Sequence, residues 1–194
     1  NQECPLVVQQ VASAREAAAK LIGGHANEIA LIGPTSVGIS LVANGIDWKP
    51  DDEVVFYQDD YPANVYAWRN LETIGVKLVQ LLPDAPGKIT LELVESVLTN
   101  RTRLVALASC NFVSGYRIDI DAIGSLLGRR NILFSLDAIQ TLGAFPTSVK
   151  HVDFLSADSH KWMLGPSGAG IFYVKESRQE MLRPSLLGSW NVVS

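Results

Sequence analysis

The sequence predicts an α/β protein: a three-layer α/β/α sandwich on a mostly parallel sheet of about seven strands, the last of them antiparallel. Three observations predict it. Short apolar runs alternate with segments of helical periodicity along nearly the whole chain. Those runs are apolar at consecutive positions, as in strands covered on both faces. The final run, residues 169–174, follows its predecessor through a loop with no helix in it, which lets it turn back against its neighbours.

The elements follow in order. Residues 5–22 place Val7, Val8, Val11, Ala14, Ala18, Leu21 and Ile22 at helical steps, with Pro5 suited to the first turn and Gly23-Gly24 to the stop. Residues 28–32 read as a strand and 36–43 as a helix. Strands follow at 53–57, 76–81, 104–108, 132–136 and 152–155. Helices fall between them at 64–73, 91–98 and 122–127, the last capped by Asp119 or Asp121.

Composition narrows the function. The 194 residues are 47% hydrophobic, enough for one substantial core, and a net charge of -4 speaks against a nucleic-acid partner. No apolar run approaches the roughly 18 residues of a membrane span, and neither a basic stretch nor an apolar run of the secretory type is expected among the first residues shown. Cys4 and Cys110 form neither a CxxC pair nor a disulfide framework, so a cytoplasmic setting is expected. His25, His151 and His160 lack ligand spacing, and no metal is expected. A start at Asn1 and an end at Ser194 without a terminating element suggest a piece of a longer polypeptide.

Open parallel sheets bind ligands outside the carboxyl ends of their strands, so the residues after each strand carry the functional information. After the first strand, Gly33-Pro34-Thr35-Ser36-Val37-Gly38 opens a helix with hydroxyls and free N–H groups. That arrangement suits a phosphate, or equally a plain N-cap. Asp59, Asp60, Tyr61 and Asn64 follow the second strand, and Ser109, Cys110 and Asn111 the fourth. The fifth ends in Asp137, with Gln140 shortly after. A carboxylate there stands at the edge of the core and needs a cationic partner, unless it caps a helix. The sixth runs into Ser156-Ala157-Asp158-Ser159-His160-Lys161-Trp162. Lysines usually lie among charges with the ammonium in water, whereas Lys161 lies among aromatic, aliphatic and turn residues. An amine held so can lose its proton and bond to a carbonyl carbon. Lys161 comes 24 residues after Asp137, one strand–helix–strand step on.

Together these residues resemble the pyridoxal-phosphate enzymes of aminotransferase class V, the group of cysteine desulfurases, kynureninase and isopenicillin N epimerase. The resemblance is most specific in SLDAIQTLGAFP and SADSHKWMLGPSGAGIFYV and covers essentially the whole chain, implying that residues 1–194 are a cofactor-binding large domain without its smaller C-terminal domain. It implies that Lys161 holds pyridoxal 5'-phosphate as an internal aldimine, Asp137 pairs with the pyridine nitrogen and Gln140 bonds the phenolic oxygen. Tyr61 would stack on the ring, Thr35, Ser36 and His160 hold the phosphate, and Asn111 lie near the ring oxygen and substrate. A small amino acid as substrate and a homodimer are implied as well. The chemistry would be that of a desulfurase or other lyase, an epimerase or a transaminase.

The sequence departs from the desulfurase pattern in three places. Tyr61 replaces a histidine, which favours an epimerase or lyase. Val37 stands where many relatives carry a glutamate. Asp158 replaces a hydroxyl residue and, beside a phosphate, has to point away or find a cation. Cys110 does not match the desulfurase nucleophile and reads as a buried structural thiol. Arg117 can reach a carboxylate or cap the following helix. Two rivals come from other classes. One is a non-catalytic scaffold that keeps the fold. The other is a nucleotide-binding loop in GPTSVGIS, which has Ile39 where that motif needs its lysine.

Overall fold

A computed structural model of the chain describes residues 5–188, so Cys4 lies outside the described residues. One sheet contains β1 (Ile29–Ile32), β2 (Glu53–Phe56), β3 (Lys77–Gln80), β4 (Thr102–Ala108), β5 (Leu133–Asp137), β6 (Phe154–Ala157) and β7 (Gly170–Val174). Their order is β1-β7-β6-β5-β4-β2-β3. The pairs from β3 across to β6 are parallel, and β7 runs antiparallel to both β6 and β1. Two reversals cancel, so β1 points the same way as β2 to β6. Their carboxyl ends open on one edge.

Among the described residues five helices cover the sheet: α1 (Pro5–Ile22), α2 (Thr35–Gly45), α3 (Ala63–Arg69), α4 (Leu91–Val97) and α5 (Ile120–Arg129). Consecutive strand residues go to opposite layers, which is why the runs read as apolar throughout. Val55, Val105, Phe134 and Leu155 pack with Ile22, Val94, Ile123 and Leu127. Val54, Leu104, Leu133 and Phe154 pack with Ile39, Val42 and Trp68 on the other face.

Three local readings change, and one left open is settled. The apolar face expected of α1 buries only Ala18, Ala19 and Ile22, while Leu6, Val7, Val8 and Val11 stay exposed because only its last turns meet the sheet. The helix expected over 64–73 is split: α3 stops at Arg69 and residues 70–74 tighten into a 3₁₀ turn that ends at Gly75, φ 87°. No helix joins β5 to β6; residues 138–153, interrupted by Gly143 and Pro146, cross in turns. Asp119, not Asp121, caps α5, accepting the Ala122 N–H at 2.9 Å. Among the described residues no helix is long and apolar enough to cross a membrane.

Gly170 fixes how closely β1, β6 and β7 meet. A Cβ there would lie 2.5 Å from the Gly33 carbonyl oxygen and 2.9 Å from that of Ala157, both backbone atoms. Gly170→Ala is therefore expected to lower stability by about 1–3 kcal/mol, measured by urea unfolding. A variant as stable as the parent would show that this junction yields freely.

Candidate active site

At the end of β1 the chain enters α2 through Pro34. Pro34 offers the first turn no side-chain acceptor, so the N–H groups of Thr35 and Ser36 face out of the helix end. Thr35 is buried and its Oγ1 accepts the Asp158 N–H at 2.9 Å, which joins this end to the loop after β6. Ile39, in the place of a nucleotide-loop lysine, is 1% exposed within the core.

The lysine loop is built around Asp158. Its carboxylate accepts N–H groups of Ser159 at 2.7 Å, Gly168 at 3.0 Å and Ala169 at 3.2 Å, and meets His160 Nδ1 at 2.8 Å. Burial raises the Asp158 carboxyl. The Gly168 N–H, the His160 ring and the Ser159 N–H outweigh that and hold it below the usual carboxylate range. The acid that stands three positions before Lys161 is thus satisfied inside the loop, with His160 as its ring partner. The turn closes by Gly165 N–H to Ser159 O at 2.9 Å and Leu164 N–H to Lys161 O at 3.2 Å. Lys161 itself is half-buried, its Nζ 5.6 Å from the centroid of the Tyr61 ring.

Asp137 ends β5 in the neighbouring register position to Ser156 of β6. It is 3% exposed and, among the described residues, accepts only the Ile139 N–H, at 3.0 Å, with no ion pair. Burial pushes its carboxyl up to about 7. The Asp60 charge adds to the rise, while the Ile139 N–H and Lys161 oppose it. The Lys161 amine is thus near enough for its charge to act on Asp137. Gln140 is half-buried in the turn that leaves β5. Asn111 is 7% exposed; its Oδ1 accepts the N–H groups of Val113 and Ser114, at 3.1 and 3.0 Å, and its amide packs against Gly87.

Sequence reasoning gave no role to several neighbours. Phe112 meets the half-exposed Tyr61 ring edge-on, centroids 5.5 Å apart. Thr141 Oγ1 donates to Ser109 Oγ at 2.8 Å, tying the ends of β4 and β5. Asp60, buried beside Tyr61, was visible only as one of two adjacent acids after β2. One further reading is corrected: Cys110 is half-buried rather than buried. Of the two readings of Arg117, capping of α5 falls to Asp119 instead, and the Arg117 guanidinium lies 3.8 Å over the Phe145 ring.

Comparison with known proteins shows the family. The sequence matches the family described as Aminotransferase class-V over residues 6–194. The chain belongs to the class-V aminotransferase family. It is 30% identical to an uncharacterized aminotransferase, YcbU, of Bacillus subtilis over 179 residues, covering 91% of this chain and 48% of that protein. It is 32% identical to cysteine desulfurase IscS of Shewanella frigidimarina, covering 90% of this chain and 44% of that one. Among solved structures, the apo cysteine desulfurase of Thermococcus onnurineus NA1 superposes with a TM-score of 0.90 at 26% identity, over 95% of this chain and 47% of that chain. This class-V chain thus spans about half the length of the curated relatives it matches.

The crevice of the class-V chain suits the family's cofactor, pyridoxal 5'-phosphate. A buried carboxylate without a cation wants a protonated ring nitrogen. An uncapped helix end with two hydroxyls wants a phosphate. Asp137 keeps its proton to about pH 7 when folded, but loses it near 3.8 when unfolded. In that window the folded state binds more protons, so stability without cofactor should fall as pH rises from about 4 through about 7. Asp137→Asn should flatten that slope in thermal unfolding measured across the range. An unchanged slope would assign it to other groups.

Proposed function

We propose that residues 1–194 form the cofactor-binding large domain of a pyridoxal-5'-phosphate-dependent enzyme acting on a small amino acid. What supports this reading is the buried Asp137 carboxyl, without an ion pair among the described residues and within reach of the Lys161 charge, together with Lys161 Nζ at 5.6 Å from the Tyr61 ring. When bound, the cofactor supplies an electron sink for negative charge developing at the substrate's α-carbon. Lys161 anchors the cofactor through its amine and moves the proton at that carbon. Asp137 holds a proton at the ring nitrogen, because a lone carboxylate in so dry a place is stabilised by the opposite charge. Gln140 donates to the phenolic oxygen. Tyr61 covers one face of the ring, and the Asn111 NH₂ reaches the ring oxygen and the substrate.

At the other end Thr35, Ser36, the first N–H groups of α2 and His160 hold the phosphate. Asp158 holds the His160 ring by Nδ1 and so leaves Nε2 for that purpose. Tyr61 brings no imidazole to the reacting carbon, which favours lyase or epimerase chemistry over desulfuration. Likeness to the family extends the reading to a cytoplasmic homodimer.

Incubation with pyridoxal phosphate, borohydride reduction and peptide mapping should place a stable label on Lys161. Lys161→Ala should carry no label and lose turnover by several orders of magnitude in the full-length protein. Asp137→Asn should retain some cofactor while losing most of the rate. Sulfide, alanine, racemised product or keto acid from a panel of amino acids identifies the reaction. An unlabelled Lys161, or full activity of Lys161→Ala, overturns the reading and leaves a scaffold.

A further inference from the structure

The loop after β3 carries none of the roles above, yet it reaches Asn111. Residues 81–90 lead from β3 into α4, and the loop is anchored in the core at both shoulders by the buried Leu81 and Ile89. Between these anchors the turn closes by Lys88 N–H to Ala85 O at 3.0 Å. Its tip is held from β2: the Gly87 N–H donates to the hydroxyl of Tyr57, a buried ring just after that strand, at 3.2 Å. Gly87 has φ 69°, and a Cβ there would collide with Cγ and Cβ of Asn111 and lie 2.8 Å from its Nδ2. Only a residue without a side chain lets the loop come so close to this amide. Tyr57, Gly87, Ile89 and Asn111 line one small cavity. Asn111 has little freedom left. Its Oδ1 accepts the N–H groups of Val113 and Ser114 and also the Ser114 hydroxyl, at 3.1 Å. Two backbone donors on one atom identify it as the oxygen and exclude the flipped amide. The 113–114 turn therefore fixes one end of the amide, and Gly87 bounds it on another side.

We propose that Tyr57 is a positioning residue: its hydroxyl holds Gly87, and Gly87 holds the Asn111 amide in the orientation that meets the cofactor's ring oxygen and the substrate. The inference rests on the role given to Asn111 under the proposed function. Tyr57 needs no contact with either molecule, because it acts through the loop. A phenylalanine in its place would fill the same core space but leave the Gly87 N–H without its acceptor. The tip would then shift to satisfy that N–H elsewhere, and the Asn111 amide would lose the backbone it rests on.

The test is a double-mutant cycle on the full-length protein, read as the dissociation constant of pyridoxal phosphate from an absorbance titration. Tyr57→Phe should weaken binding about fivefold, the scale of one hydrogen bond. Asn111→Ala should weaken it at least as much. In the Asn111→Ala background Tyr57→Phe should add nothing, because the group it positions is gone. A general loss of packing would instead add in full, so additive effects overturn the proposal, as does a Tyr57→Phe protein that binds like the parent. Where Tyr57→Phe does not fold, nitrogen-15 relaxation of the cofactor-free parent decides. An Asn111 side-chain NH₂ as rigid as the backbone of β4 supports the proposal, and a freely moving one overturns it. An unlabelled Lys161 overturns the cofactor reading, whereas a labelled Lys161 with additive effects overturns this inference alone.

Discussion

The site depends on β7 running against its neighbours between β1 and β6. That strand carries β1 to the sheet edge two places from the lysine strand, yet leaves it pointing the same way. The opening of α2 then stands beside the loop that holds Lys161. Asp158 makes the junction, giving its N–H to Thr35 and taking the N–H groups of Gly168 and Ala169 at the start of β7. Gly170 permits the approach, because any side chain there would collide with backbone on both sides. The opening of α2 and the loop that holds Lys161 come together through this one packing choice.

Two aspartates at the ends of adjacent strands show how the fold assigns chemistry. Asp158 and Asp137 are both buried, and burial raises both. Asp158 is surrounded by loop N–H groups and an imidazole, so it keeps its charge and serves as structure. Asp137 has one N–H donor, so burial prevails and pushes its carboxyl up to about 7. The difference lies in how many donors the backbone turns towards each oxygen, not in residue type.

Much of this was legible residue by residue. The alternation of runs indicated the layers, because strands buried on both faces need apolar side chains at successive positions. The lack of helical periodicity after Lys161 indicated the reversal of β7. Lys161 and Asp137 stood out because each is a charge in an apolar neighbourhood. Asp60 did not, since one of two adjacent acids after a strand looks like any solvated loop. The exposed apolar turns of α1 misled for a related reason: periodicity shows that a face exists, not what covers it.

The sequence alone determined the α/β layering, the strand ends that bear polar groups and the two charges around which a cofactor is read. These are local matters, written in the period and neighbours of each segment. Tertiary structure decided the order of strands, the number of donors around each buried carboxylate and the meeting of the α2 opening with the loop after β6. Those depend on which distant segments meet, and residues more than a hundred positions apart, such as Thr35 and Asp158, carry no mark of one another until the sheet brings them together.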